Sequence, residues 1–271
     1  MTAPDLGAGL AFLGGGHMAR ALVAALHRSG VAGASLHVIE PDVQRREALR
    51  RDYDITPHAD ATQLPRLDTL LLAVKPQDLE TALPPLQDWL ARHRPLVISV
   101  AAGVTIARLA RLCPAGSIVR AMPNRGALVG AGATGLYAPP GIDPLLRTRA
   151  TAILGTAGIV VTVEEESLMD VVTAVSGSGP AYFFALAEAL AKAGVLAGLP
   201  ADAAESLARA TLSGAGALTS GDSSLAALRA SVTSKGGTTA AALEALDRRS
   251  FEELVREAVE AAVRRGREIG G

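Results

Sequence analysis

The stretch LAFLGGGHMARALVAAL, from Leu10 to Leu26, decides the fold of the first half of the chain. Its first four residues form an apolar run typical of a buried β-strand, and Met18–Leu26 has helical apolar spacing. Between them, Gly14, Gly16 and Ala19 give the G-x-G-x-x-A spacing of a dinucleotide-binding turn. The sequence therefore predicts a strand, a glycine-rich turn and a helix that begin a βαβ unit.

Each small residue in this turn has a physical role that a larger residue could not fill. Gly14 permits the tight turn, Gly16 lets the backbone approach a pyrophosphate, and Ala19 lets the helix pack closely on the strand. The free N–H groups and the positive dipole end of the new helix would face the phosphates. We expect the cofactor to contact Gly14, Gly15, Gly16, His17 and Met18.

The composition is that of a globular protein, and its length leaves room for two domains of ordinary size or one large one. Of the 271 residues, 49% are apolar and 3% aromatic, and the net charge is −1. This near-neutral charge argues against a nucleic-acid partner. Cys113 is the single cysteine, which excludes an intrachain disulfide and a thiolate metal cluster, so no metal site is expected.

The chain shows no membrane or secretion signal. The N-terminus lacks a basic region followed by an apolar core, and Glu188 and Lys192 interrupt the apolar segment Tyr182–Leu199. We therefore expect a cytoplasmic protein without a membrane partner.

Apolar runs after the first helix predict further strands, which alternate with helices up to about residue 163. They are Leu36–Glu40, Thr69–Val74, Leu96–Val100, Ser117–Met122, Ala133–Ala138 and Gly158–Val163. This alternation predicts an α/β fold with a Rossmann-type doubly wound sheet. From Glu164 onward helical spacing takes over, so we expect a dinucleotide-binding domain over residues 1–163 and an all-α domain over residues 164–271.

Small, turn-forming or polar residues follow three of these strands. Ligands in open α/β sheets bind at the carboxyl ends of strands, so these residues are candidate cofactor contacts. They are Lys75, Pro76, Ala101, Ala102, Gly103 and Asn124, and the last two residues of the strand before Lys75, Ala73 and Val74, are candidates with them.

Glu40, at the end of the second strand, bears on the choice of cofactor. A carboxylate there usually accepts hydrogen bonds from the adenosine ribose and repels a 2′-phosphate, which favours NADH over NADPH. Arg45 and Arg46 follow closely and could instead neutralise a phosphate, or lie on a solvated helix face. The sequence favours NADH slightly and leaves NADPH open.

The second half of the chain is predicted to be helical. Pro180 suits the first turn of a helix over Ala181–Ala193, and Pro200 precedes another that runs to about Leu218. Ser250 and Glu253 form a predicted capping box before an amphipathic helix. The large apolar stripes on these helices predict subunit packing, with a homodimer as the minimal assembly.

A second glycine-containing stretch, VTSKGGTT from Val232 to Thr239, leads into an Ala-rich helix. Glycines and small hydroxyl residues at a helix start expose several N–H donors, which suit a carboxylate as well as a phosphate. We expect the backbone N–H groups of Gly236, Gly237 and Thr238 to hold an anion. An ordinary helix cap after a loop remains the alternative interpretation.

Motifs in both halves resemble those of the pyrroline-5-carboxylate reductase family, in the family's order and over nearly the whole chain. They are GGGHMA at Gly14, AVKPQ at Ala73, SVAAG at Ser99, RAMPN at Arg120, LMDVVTAVSGSGPAY from Leu168 and VTSKGGTT from Val232. The resemblance implies NAD(P)H-dependent reduction of 1-pyrroline-5-carboxylate to L-proline. It also implies a C-terminal dimerisation domain, with dimers often assembled into decamers.

The resemblance further implies roles for single residues. Thr239 aligns with the family's threonine, whose hydroxyl contacts the ring nitrogen, and is the expected catalytic residue. Glu166 aligns with an acid near the substrate. The chain departs from the family at His17, where Asn or Gln is usual, at Arg125-Gly126 in place of Thr-Pro, and at Lys235 in place of Pro.

Three alternatives remain to be weighed. A β-hydroxyacid dehydrogenase would need a lysine four residues after Gly179, where this chain has Phe183. A non-catalytic dinucleotide-sensing scaffold would have no reason to keep the cradle at Gly236. A reductase of a six-membered cyclic imine stays open, because pocket shape sets the ring size.

Overall fold

A computed structural model describes residues 3–113 and 116–270. In this part of the chain, eight strands form one sheet. The strands are β1 (Leu10–Leu13), β2 (Leu36–Ile39), β3 (Thr56–His58), β4 (Thr69–Leu72), β5 (Leu96–Ser99), β6 (Ser117–Met122), β7 (Gly132–Tyr137) and β8 (Gly158–Val163).

The helices alternate with the strands at first and then follow one another without strands. They are α1 (His17–Arg28), α2 (Val43–Tyr53), α3 (Leu79–Ala82), α4 (Gln87–His93), α5 (Ile106–Leu112), α6 (Pro144–Gly155), α7 (Leu168–Val172), α8 (Gly179–Leu196), α9 (Ala201–Leu218), α10 (Leu225–Ser231), α11 (Thr238–Asp247) and α12 (Phe251–Gly270). A π-helical turn, Thr173–Gly177, follows α7. The described residues contain no strand after Val163, which confirms the predicted change to helices.

The sheet has the order β3-β2-β1-β4-β5-β6-β7-β8, and β1 therefore lies between β2 and β4. Every neighbouring pair is parallel except β6 and β7. This confirms the predicted doubly wound fold. The antiparallel pair was not predicted, and its cause is the short connection between β6 and β7, because a parallel crossover needs a dozen or more residues.

Apolar side chains cover the sheet on both faces. Along β1, Leu10 and Phe12 pack in one core cluster with α1 and α6, whereas Ala11 and Leu13 pack in the other, with α3 and α5. Successive strand residues point to opposite faces, so a strand buried on both sides reads as a continuous apolar run. This pattern explains why the central strands were predictable.

The chain divides into two compact units. The first contains the described residues up to Ser178 together with those from Ala262 onward, and the second contains Gly179–Ala261. Within the second unit, α8 has Pro180 in its first turn and Pro200 precedes α9, as predicted.

The start of α12 differs from the prediction. The backbone N–H of Ser250 donates to the carbonyl oxygen of Asp247 (2.9 Å), and Ser250 takes a left-handed backbone conformation with φ +54°. Glu253 accepts hydrogen bonds from Arg256. The predicted capping box is therefore wrong, because the end of α11 already uses the N–H group that Glu253 would have capped.

None of the helices described is both long enough and apolar enough to cross a lipid bilayer.

Candidate functional site

A cavity of about 510 Å³ lies in the first unit at the carboxyl ends of β1, β2 and β4. Because β1 has β2 on one side and β4 on the other, this is the topological switch point where open α/β sheets bind ligands. Predicted cofactor residues lining the cavity are Gly14, Gly16, Glu40, Ala73, Val74 and Lys75. The fold thus brings together residues from three separate strand ends.

The glycine-rich turn has the geometry that its sequence predicts. Gly14 has φ +97°, and a Cβ there would lie 2.9 Å from Cγ1 of Val74. At Gly16 no described heavy atom lies within 4 Å of the position of a Cβ, so the backbone faces open space. Gly16 is the N-cap of α1 and has no side chain to cap it, which leaves first-turn N–H groups for an anion.

Glu40 is buried behind this turn. Its Oε2 accepts a hydrogen bond from the N–H of Gly15 (2.9 Å), and its Oε1 accepts one from the N–H of Asp42 (3.0 Å). Arg46 donates through Nη1 to the carbonyl oxygens of Glu40 (2.7 Å) and Pro41 (2.8 Å). The carboxylate therefore joins the turn after β1 to the turn after β2.

Two histidines lie at the sheet edge next to Glu40. His37 Nδ1 and His58 Nε2 are 3.0 Å apart, and the rings are stacked. Burial lowers the pKa of His37, and the neighbouring His58 lowers it further. Burial also lowers the pKa of His58, with Asp60 acting in the opposite direction. Since the carbonyl oxygen of His58 accepts from the N–H of Glu40 (3.0 Å), this pair adjoins the cavity wall.

The other predicted cofactor residues have different surroundings. His17 and Met18 begin α1, Pro76 begins a 3-10 turn after β4, and Ala101, Ala102 and Gly103 follow β5. None of these lines the 510 Å³ cavity.

Asn124 follows β6, and its side chain connects three segments. Oδ1 accepts from the N–H groups of Gly126 (3.1 Å) and Ala133 (3.2 Å), and Nδ2 donates to the carbonyl oxygen of Ser176 (3.0 Å). The amide thus holds the π-helical turn against the β6–β7 connection.

Glu166 is half-buried and lies in the first unit. Its Oε1 accepts from the N–H of Ile106 (2.6 Å) at the start of α5 and from Nη1 of Arg120 (2.8 Å) on β6. The Arg120 side chain is 8% exposed and that of Glu166 29%. The carboxylate therefore neutralises a buried cation.

The predicted anion cradle lies in the second unit at the start of α11. Gly236 has φ +70°, and Gly237 is the N-cap of the helix, which begins at Thr238. A Cβ at Gly237 would collide with Oγ of Ser234, which would have to rotate away, whereas the left-handed φ of Gly236 itself favours glycine. The N–H of Gly237 donates to the Ser234 carbonyl oxygen (3.0 Å), whereas Thr239 is half-buried in the first turn.

Sequence reasoning missed Arg120, His37 and His58 as structural partners. A signal was present for Arg120 and His37, because each is a polar residue within an otherwise apolar strand and needs a partner when buried. For His58 no signal was present, since β3 is short and contains Pro57.

Over residues 3–113 and 116–270, no set of three or more His, Cys, Asp or Glu side chains is arranged to hold a metal ion. Burial raises the pKa of Cys113 to about 11, which keeps this thiol protonated and unreactive.

Comparisons with known proteins agree with this geometry. A family model described as pyrroline-5-carboxylate reductase dimerisation matches residues 166–269, and one described as NADP oxidoreductase, coenzyme F420-dependent, matches residues 9–103. The pyrroline-5-carboxylate reductase of Synechocystis sp. is 42% identical over 264 residues, covering 96% of this chain and 98% of the relative.

Solved structures give the same result. A pyrroline-5-carboxylate reductase from Coxiella burnetii superposes with a TM-score of 0.92 at 35% identity, covering 97% of this chain and 99% of that one. The pyrroline carboxylate reductase of Plasmodium falciparum with NADP bound has a TM-score of 0.80 at 28% identity and covers 100% of both chains.

Proposed function

The chain belongs to the pyrroline-5-carboxylate reductase family, and from this we propose the reaction that it catalyses. It is an oxidoreductase that reduces the C=N bond of 1-pyrroline-5-carboxylate to give L-proline, the last step of proline biosynthesis. The donor is a nicotinamide dinucleotide, which supplies a hydride to the imine carbon when bound. The ring nitrogen takes up a proton.

One observation carries this proposal: the open glycine-rich turn lies at the switch point of a doubly wound sheet. The turn fits a dinucleotide because Gly14 has no room for a side chain and Gly16 faces open space. The protein's part in hydride transfer is chiefly to orient the reactants, so neither a metal nor a nucleophilic side chain is required.

The substrate carboxylate is proposed to bind at the start of α11. The N–H groups of Gly236 and Thr238 would donate to the carboxylate, aided by the helix dipole. The N–H of Gly237 would join them by releasing the Ser234 carbonyl oxygen, to which it otherwise donates. The hydroxyl of Thr239 would hydrogen-bond the ring nitrogen and assist its protonation. Glu166 is proposed as a further substrate-binding residue.

For the cofactor, the proposed contacts are those predicted from sequence, with the cavity-lining members at the adenosine and pyrophosphate end. They are Gly14, Gly15, Gly16, His17, Met18, Glu40, Ala73, Val74, Lys75, Pro76, Ala101, Ala102, Gly103 and Asn124. We propose NADPH as the preferred donor, against the slight sequence preference for NADH. The support is that Arg45 lines the cavity, with its Nη1 3.6 Å from Oε2 of Glu40, and offsets the negative charge that would repel a 2′-phosphate.

We further propose that residues 1–163 bind the dinucleotide and residues 164–271 form the dimerisation and substrate-binding domain. The minimal assembly would be a homodimer, with a decamer as the larger alternative. The cytoplasm is the proposed location.

Oxidation of the cofactor tests the reaction directly. Purified protein, 1-pyrroline-5-carboxylate and either NADPH or NADH would be followed by absorbance at about 340 nm, where reduced nicotinamide absorbs. We expect oxidation that depends on the imine. Oxidation only with a six-membered cyclic imine carboxylate would establish that alternative, and none with either imine would favour a dinucleotide-sensing scaffold.

Thr239→Ala tests the proposed proton step. Loss of the hydroxyl should lower kcat roughly tenfold to a hundredfold. The dissociation constant for the cofactor should stay unchanged. Thr219→Ala, at the end of α9, is the matched control and should keep the wild-type rate. An unchanged kcat in Thr239→Ala would show that the hydroxyl has no part in the reaction.

A further inference from the structure

The end of β2 contains the groups that meet the adenosine ribose in dinucleotide-binding folds. Here the Glu40 carboxylate is 6% exposed, and both of its oxygens accept main-chain N–H groups, from Gly15 (2.9 Å) and from Asp42 (3.0 Å). A carboxylate held in this way stabilises the two turns that it connects. Glu40 therefore braces the glycine-rich turn, and any hydrogen bond that it accepts from the ribose would use the remaining lone pairs of the same two oxygens.

The two arginines that follow differ in what they contact. Arg46 donates from Nη1 to the carbonyl oxygens of Glu40 and Pro41, which fixes its guanidinium on the turn. Arg45 lines the cavity, and its side chain is 58% exposed. Its Nη1 lies 3.6 Å from Oε2 of Glu40, within ion-pair range but beyond a hydrogen bond. The Arg45 guanidinium thus lies at the cavity edge, paired with Glu40 and accessible to solvent.

We propose that Arg45 binds the 2′-phosphate of NADPH and is the residue that selects NADPH over NADH. The inference rests on the proposed function, in which this cavity takes the adenosine end of a nicotinamide dinucleotide. Arginine binds phosphate oxygens through charge-assisted hydrogen bonds, and NADH lacks the group that would make them. The acidic side chains on the same rim, Asp60 and Asp78, are exposed, so solvent and salt screen their repulsion.

The test compares three variants of the full chain. Arg45→Ala removes the proposed phosphate ligand. Glu40→Gln keeps the shape of the side chain, but its amide N–H₂ group would face one of the two main-chain N–H donors, and that hydrogen bond would be lost. The matched control is Arg50→Ala, which makes the same change of charge at an exposed position of α2 that does not line the cavity.

Calorimetry would measure the dissociation constants of NADP⁺, NAD⁺, 2′,5′-ADP and 5′-ADP, and kcat/KM would be measured with NADPH and NADH. Arg45→Ala should raise the dissociation constants of NADP⁺ and 2′,5′-ADP by about tenfold or more, as expected for the loss of charged hydrogen bonds. NAD⁺ and 5′-ADP should be unaffected. Glu40→Gln should weaken NADP⁺ and NAD⁺ equally, and Arg50→Ala should weaken neither.

Other results would overturn the inference. If Arg45→Ala weakens the binding of NADP⁺ and NAD⁺ equally, or weakens neither, Arg45 is excluded as the phosphate ligand. If Glu40→Gln binds NADP⁺ more tightly while its affinity for NAD⁺ is unchanged, Glu40 is the residue that discriminates between the two cofactors. If wild-type protein reduces the imine but Arg45→Ala has no selective effect, only the inference fails. If the wild type binds neither dinucleotide and oxidises neither reduced form, the proposed function fails with it.

Discussion

At the scale of single residues, the partly buried Arg120–Glu166 ion pair is expected to contribute to the free energy of unfolding. Removing one partner of a buried pair leaves an uncompensated charge, and Arg120 is the more deeply buried of the two. Because Glu166 is partly exposed, we expect Arg120→Ala to lower the free energy of unfolding by about 2 kcal/mol, less than for a fully buried pair. Urea denaturation of both single variants and of Arg120→Ala/Glu166→Ala would give their coupling energy.

The conservative variant Glu166→Gln separates the structural role from the proposed substrate contact. Glutamine retains an oxygen that can accept from the N–H of Ile106 and from Arg120, so stability should fall less than in Glu166→Ala. If the charge of Glu166 acts on the substrate, KM for the imine should rise with cofactor binding unchanged. A wild-type KM would restrict Glu166 to pairing with Arg120.

At the scale of secondary-structure elements, the edge strand β3 and its neighbour β2 should respond to pH through His58 and His37. The pKa of each histidine is lowered from 6.5 in the folded protein, so the unfolded chain binds more protons as pH falls through that range. The stability that these two histidines contribute is therefore fully present above about pH 6.5. It is lost as the pH falls toward their pKa values in the folded protein.

Thermal unfolding at about pH 7.5 and about pH 5.5 would measure this effect. The fall in Tm should be smaller in His58→Gln, which cannot titrate but can still hydrogen-bond His37. His27→Gln, which removes an exposed histidine from α1, is the control and should fall as the wild type does. An equal fall in His58→Gln would exclude the pair as the origin of the pH dependence.

The π-helical turn Thr173–Gly177 depends on Asn124 from another element. Asn124→Ala removes three partly buried hydrogen bonds and should cost about 2 kcal/mol of unfolding free energy. Asn124→Asp keeps the two acceptor contacts and loses the donor to Ser176, so faster hydrogen exchange should be confined mainly to residues 173–178. Unchanged stability with weakened cofactor binding would instead support the contact with cofactor predicted from sequence.

The elements that could be predicted from sequence are those whose signal is local. The strand Leu10–Leu13, the turn at Gly14 and the helix after it follow from apolar spacing and from small residues. Contacts between distant segments, such as Asn124 with Ser176 or Glu40 with Gly15, have no local signal, because each depends on how strands are ordered in the sheet. The capping box failed for a related reason: Asp247 already accepts from the N–H of Ser250.

At the scale of the whole molecule, the helical unit leaves large apolar side chains exposed in the single chain. Phe183 and Phe184 on α8 are each 61% exposed, and Leu254 on α12 is 57% exposed. Large apolar side chains that stay exposed in a single chain are typical of an interface. Since the family's dimerisation model matches residues 166–269, a second copy is the expected partner for this face.

The double variant Phe183→Gln/Phe184→Gln should therefore shift the protein toward lighter species on dilution in sedimentation velocity. Burial of an aromatic side chain is worth about 1.5–3 kcal/mol, and an isologous interface loses each contact twice. Lys192→Gln, on the same helix but in an exposed ion pair with Glu188, is the control and should sediment as the wild type does. If the double variant also sediments unchanged across dilution, the α8 aromatics lie outside the interface, and subunit contacts must come from other apolar residues of the helical domain.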